Sequence, residues 1–108
     1  MIQIANEAGI VRVKLPKRFD IEEVSRCRNE VYKLLDEHIS KMVFDCAECD
    51  FIDSTGLGLL VSAFKRCAEH KVGFALCSLR ENVTGVIKLT RLDQVFTIHN
   101  SYSDAVRG

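Results

Sequence analysis

The 108-residue chain lacks a dominant charge: 15 Lys and Arg balance 15 Asp and Glu, and the basic residues gather in no local cluster. A nucleic-acid partner needs a basic surface to neutralise phosphates, so nucleic acid is not expected as a ligand. No apolar run approaches the ~20 residues that span a bilayer, and the N-terminus has no basic segment followed by an apolar stretch. The expectation is a cytoplasmic protein with no membrane contact. There is no Gly-rich phosphate loop ending in lysine, which argues against an NTPase or kinase, and no Gly-x-Ser-x-Gly, which argues against a serine hydrolase. The three histidines, His38, His70 and His99, fall near predicted element ends and read as polar surface residues. Cysteine is present five times, at Cys27, Cys46, Cys49, Cys67 and Cys77. Cys46 and Cys49 have the spacing of half a zinc site or of a redox pair, but no second CxxC and no neighbouring histidine completes a ligand set. An odd number of cysteines at positions where the apolar pattern wants a small buried residue fits a reducing compartment, with no metal and no cofactor.

The chain has the length of one domain, residues 1–108, and enough apolar residues (47%) to bury a core without staples. Gln3-Ile4-Ala5, a turn-prone Asn6-Glu7-Ala8-Gly9 and an alternating Ile10–Leu15 predict an antiparallel hairpin, with Val11, Val13 and Leu15 inward and Arg12 and Lys14 outward. Pro16 closes the strand, and Lys17 and Arg18 read as loop cations. Asp20 is the predicted N-cap of a first helix, with Glu23 in the capping-box position; Ile21, Val24, Cys27, Val31, Leu34 and Leu35 line one face as far as about Ile39. Two more apolar runs of strand length, Met42–Cys46 and Val72–Cys77, surround a second helix. A third helix is predicted within Ser78–Leu92, weakened by Gly85, then a last strand over Gln94–Ile98 and a stub helix capped by Ser101 or Ser103. Strands separated by helices must run parallel, so the fold class is α/β: a mixed sheet with an N-terminal hairpin and parallel central strands covered by helices.

One stretch has functional character. Asp53-Ser54-Thr55-Gly56-Leu57-Gly58 lies where an apolar strand gives way to an amphipathic helix, so Ser54 sits at a helix N-terminus. Its hydroxyl can cap the helix there, and a phosphate would be accommodated by the dipole and free N–H groups. At about 100° per residue, Leu57, Leu60, Val61, Phe64 and Cys67 form the buried arc of that helix. Ser54, Gly58, Ser62 and Lys65 flank it, and Thr55, Leu59 and Arg66 face outward. The carboxylates Asp45, Glu48, Asp50 and Asp53 invite comparison with a magnesium-binding receiver. That pattern also needs a lysine after a late strand, and Ile98-His99-Asn100 supplies none, so all four read as loop carboxylates, with Asp53 placed to orient Ser54.

The hexapeptide in this strand-helix setting, with the element order from about Ile2 to Val106, resembles the STAS domain, particularly the bacterial anti-sigma factor antagonists. The resemblance implies a regulatory binding protein and not an enzyme, in which Ser54 accepts a phosphoryl group from a partner serine kinase of the anti-sigma type and a phosphatase removes it. The unmodified form would bind the kinase, releasing what the kinase sequesters. On this reading Asp53, Ser54, Thr55, Gly56, Gly58, Leu59 and Ser62 make the partner surface, with Leu59 as its apolar contact. The alternative is a STAS module that acts as a scaffold or senses a small ligand such as a nucleotide without being phosphorylated. The Leu15–Asp20 segment departs from the small or glycine-containing turn usual in the family.

Overall fold

A computed structural model describes the whole chain, Met1–Gly108. Strands β1 (Gln3–Glu7) and β2 (Ile10–Lys14) form the expected hairpin, in register from Gln3↔Lys14 to Glu7↔Ile10. Its turn is tighter than the predicted tetrad. Only Ala8 and Gly9 lie between the strands, both left-handed (φ 55° and 87°), as a two-residue hairpin turn requires, and Asn6 Oδ1 accepts the Gly9 N–H at 3.0 Å. A two-residue strand β3 (Arg18–Phe19) then leads into helix α1 (Ile21–Leu34); β4 (Lys41–Asp45), β5 (Phe51–Ile52), helix α2 (Ser54–Glu69), β6 (Gly73–Cys77), helix α3 (Glu81–Leu89), β7 (Ile98–His99) and helix α4 (Tyr102–Arg107) follow. The main sheet has the order β1-β2-β4-β6-β7, every pairing after the hairpin being parallel, while β3 and β5 pair with each other as a separate parallel ladder.

Strand alternation divides the sheet into two unequal faces. Val11 and Val13 of β2, Met42 and Phe44 of β4 and Leu76 of β6 join Val24, Val31, Leu60, Val83 and Ile87 from the three long helices in one core. Buried Phe44 and Phe96 interlock with half-buried Phe64 and Phe74 at its edge at centroid separations of 5.3–5.6 Å, and full burial of a phenylalanine stabilises by about 1.5–3 kcal/mol. On the opposite face Val43, Ala75 and Cys77 are covered only by six-residue α4, through Ala105 and the half-buried Tyr102. Ser101 caps α4, its Oγ accepting the Asp104 N–H at 3.1 Å, and the Lys41 ammonium donates to the Ala105 and Gly108 carbonyls at 2.8 and 2.6 Å.

Several expectations about elements are corrected. Helix α1 ends at Leu34 rather than near Ile39, and Ile21, predicted to face the core, is 59% exposed. Arg18 is a strand residue, its guanidinium lying 4.0 Å from the Phe51 ring centroid. The last strand is not Gln94–Ile98. Arg91, left-handed at φ 63°, ends the turn after α3, Leu92–Gln94 forms a 3₁₀ turn, and Phe96 goes into the aromatic cluster, leaving only Ile98–His99 to pair. Asp45 is no loop carboxylate. It ends β4, is 2% exposed, and its Oδ2 accepts from Arg12 Nε at 2.9 Å and Nη2 at 2.6 Å, which raises the pKa of the guanidinium.

Candidate functional site

The β3–β5 ladder brings the starts of α1 and α2 together. Asp20 caps α1, its Oδ1 accepting the Glu23 N–H at 3.3 Å, as predicted. The reciprocal half of a capping box is missing, because Glu23 Oε1 instead accepts from the N-terminal ammonium at 2.8 Å. At the start of α2 the cap is Asp53 and not Ser54: Asp53 is extended (φ −99°) and its Oδ1 accepts the Gly56 N–H at 2.8 Å. Two cap-forming side chains stand in succession here, and the first takes the position, which puts the second one residue inside the helix. The second Asp53 oxygen accepts the Ile21 N–H at 3.0 Å, so one carboxylate ties together the N-termini of two helices. Ser54 is therefore the first helical residue, exposed, and its hydroxyl makes no hydrogen bond within the chain. It lies beside the positive ends of both dipoles without being consumed by either cap.

The structure disperses the other predicted partner residues. Gly58 is exposed, with no atom within 4 Å of where a Cβ would stand; Asp53, Thr55 and Ser62 are half-buried. Gly56 is buried, and a Cβ there would fall on the Phe19 carbonyl oxygen and lie 2.9 Å from Ile52 Cγ1. It is a close-packing residue under β3, not surface. Leu59 is 2% exposed, which overturns its expected outward position. The single-arc wheel fails because α2 has more than one neighbour: Leu60 and Cys67 belong to the core beneath it, β3 and β5 close over Gly56, and α1 packs along its flank, so Leu59 and Ala63 are buried as well. Val61 and Phe64, expected inside, are only half-buried. Ser62 spends its hydroxyl on Tyr32 OH at 2.7 Å, and the Arg66 guanidinium covers that ring at 3.8 Å from its centroid.

Two exposed apolar residues that the sequence reading missed lie next to the Asp53 cap in sequence or by hydrogen bond. Phe51, 37% exposed, precedes Asp53 by two residues, and exposed Ile21 donates its N–H to the Asp53 carboxylate. A hydrophobic first helical residue directly after the Asp20 cap was the available signal. Cys46 and Cys49 are fully buried across a turn closed by Cys49 N–H to Cys46 O at 3.0 Å; burial pushes both thiols up, that of Cys46 most strongly. No group of three or more His, Cys, Asp and Glu side chains is placed to hold a metal ion. No helix is long and apolar enough to cross a membrane.

The STAS domain model matches residues 1–105. A Thermotoga maritima protein named as an anti-sigma factor antagonist is 30% identical over 91 residues, covering 83% of this chain and 80% of that one. An anti-sigma-factor antagonist (STAS) domain protein from Planctomyces limnophilus superposes with a TM-score of 0.87 at 26% identity, over 96% of this chain and 93% of that one. The anti-sigma factor antagonist SpoIIAA shares the fold at lower identity. Its unphosphorylated form matches with a TM-score of 0.87 at 16% identity, covering 98% of this chain and 93% of that one. The phosphorylated form, from Bacillus, matches at 0.80 and 15%, covering 99% and 97%. A strand order shared along nearly the whole chain, joined to a family match that takes in both helix starts and the free serine between them, leaves one assignment: this chain belongs to the STAS domain family, among relatives named as anti-sigma factor antagonists.

Proposed function

We propose that the protein is a phosphorylation-controlled binding switch, with Ser54 as acceptor and a serine kinase of the anti-sigma type as partner. The observation that carries this reading is the unengaged hydroxyl of Ser54 beside a cap already supplied by Asp53. Had Ser54 been the cap, its role would be filled by about 0.5–2 kcal/mol of helix stabilisation; as the next residue it has no structural task. The existence of SpoIIAA in unphosphorylated and phosphorylated forms on this fold supports the same reading. The unmodified chain binds the kinase, releasing the factor the kinase holds, and a phosphatase restores the unmodified state. The switch works in the cytoplasm and catalyses nothing itself.

The energetics favour a switch at the interface over a switch in the fold. A phosphoserine adds about −1.5 to −2 charges, and at a helix N-terminus an anion gains about 0.3–1 kcal/mol, which offsets repulsion from the Asp53 carboxylate. Under a docked partner the same phosphate is desolvated without a cation against it, at a cost of roughly 3–5 kcal/mol. A loss of ~4 kcal/mol is about a thousandfold in dissociation constant. Treatment with the cognate kinase and ATP, site mapping by mass spectrometry and a binding titration test the proposal. Ser54→Ala is expected to bind constitutively and Ser54→Asp poorly. Incorporation at Thr55 or elsewhere, or equal affinity of modified and unmodified chains, refutes it.

A further inference from the structure

At the carboxyl ends of β6 and β7, with Ser54 outside its lining, the chain leaves a cavity of about 230 Å³ between α3, the 3₁₀ turn and the strand ends. Ligands of open parallel sheets gather at this end of the strands. The cavity has an apolar wall from Leu79, Ile87 and Ile98 and two opposite charges, Lys88 and Asp93. Neither charge is matched: no carboxylate lies within ion-pair distance of Lys88 and no cation within that distance of Asp93, whose only hydrogen bond is the Gln94 amide at 3.3 Å. Seven ion pairs elsewhere, including those of Lys14, Lys17 and Arg18, engage six of the 15 Asp and Glu, so an unpaired charge is common on this chain and it is the sharing of one cavity that sets Lys88 and Asp93 apart. Two opposite charges that line one cavity without meeting leave room for a ligand between them. Ser78, left-handed at φ 59° directly after β6, adds a hydroxyl to the same wall.

We propose that this cavity binds a small zwitterion, an aliphatic amino acid, with its carboxylate toward Lys88, its ammonium toward Asp93 and its side chain on the Leu79–Ile87–Ile98 wall. Charge decides the class. A simple anion satisfies Lys88 but is repelled by Asp93, and a simple amine meets the reverse difficulty. Size agrees, since the volume falls below the roughly 300–1,000 Å³ of sites for drug-sized ligands and nucleotides. The site is half open, so the binding is weak, with a dissociation constant on the order of 1 mM. The inference is independent of Ser54: phosphorylation chemistry enters neither the cavity nor its test.

The experiment is an amide NMR titration of the isotopically labelled full chain with L-leucine, with isocaproate and isoamylamine, which each lack one charge, and with adenosine monophosphate. L-Leucine is expected to give saturable shifts at the Ser78, Leu79 and Asn100 amides, and each truncated probe to bind about tenfold more weakly or less. Lys88→Gln should bring L-leucine down to the level of isoamylamine, and Asp93→Asn to the level of isocaproate; Lys88 is exposed and Asp93 half-buried, and the unchanged amide spectrum verifies the fold. Absence of saturable shifts with L-leucine, binding of isocaproate as tight as that of L-leucine, or tighter binding of the nucleotide overturns the proposal.

Discussion

Two glycines two residues apart in α2 should respond in opposite directions to the same substitution. In Gly58→Ala the new methyl enters open space on an exposed helical turn, so only the helix propensity changes, a gain of about 0.5–1 kcal/mol. In Gly56→Ala the same gain is opposed by a clash with the backbone carbonyl of Phe19, with Ile52 Cγ1 at 2.9 Å and the Phe19 ring at 3.0 Å. A side-chain tip can swing aside; a carbonyl in the β3–β5 ladder cannot. The first turn of α2 must move away from β3, at about 1–3 kcal/mol for overpacking, and that movement stretches the Asp53 cap, worth about 1 kcal/mol more. Net of propensity, Gly56→Ala should destabilise by about 1–3.5 kcal/mol. In a domain of this size a kilocalorie corresponds to roughly 4–8 °C, so its Tm should fall by about 4–28 °C while that of Gly58→Ala rises by a few degrees. Thermal melts followed by circular dichroism measure both. A Gly56→Ala protein as stable as the parent would refute the close-packing argument and return Gly56 to the surface.

Leu59→Glu should unfold the domain or lower its stability by at least about 4 kcal/mol, since it removes a 2%-exposed leucine and buries a charge; a near-parental urea midpoint would restore the outward phase. Arg12→Leu strands Asp45 as an unpaired buried carboxylate and should cost about 2–3 kcal/mol, reduced from the roughly 3–5 of a sealed pair because Arg12 is one-third exposed. The double variant Arg12→Leu/Asp45→Leu should recover most of that loss in a double-mutant cycle. Burial pushes the thiols of Cys27, Cys67 and Cys77 up to about 11, from an ordinary value of 9.0. Between those values the unfolded chain has shed protons that the folded chain keeps, so this stabilisation is complete below about pH 9 and is lost as pH rises toward 11. Thiolate absorbance should rise together with loss of circular dichroism in that window; thiolate appearing near pH 9 in the folded protein would contradict the burial.

The parts of the fold that local chemistry dictates could be read from the chain. The Ile10–Leu15 alternation gave its inward residues correctly, Asp20 and Ser101 cap as their positions suggest, and the strand-helix alternation does produce parallel strands. What could not be read depends on neighbours distant in sequence. Leu59 is buried because α1 lies along α2, which a helical wheel with one buried arc does not represent. Asp45 resembled other loop acids because its partner Arg12 is 33 residues away, on the adjacent strand β2. Phe96 belonged to an apolar run of strand character, yet two phenylalanines, Phe64 of α2 and Phe74 of β6, determine where it goes. At the candidate site the location was legible and the division of labour was not: Asp53 and Ser54 both suit a cap, and only the geometry assigns one the cap and leaves the other unengaged.

The carboxylate of Asp53 also has a meaning for how the molecule opens. Because it holds the Ile21 and Gly56 amides at once, fraying of the α2 start takes the acceptor away from Ile21, and fraying of the α1 start takes a donor away from the carboxylate that caps α2. The two ends are thereby joined into one cooperative unit, although 32 residues of sequence separate Asp53 from Ile21. Ser54 sits on that seam rather than on an independently mobile loop. A partner that pulls on α1 should therefore be felt at the serine, and a charge placed on the serine at α1, with Asp53 bonded to both helix starts.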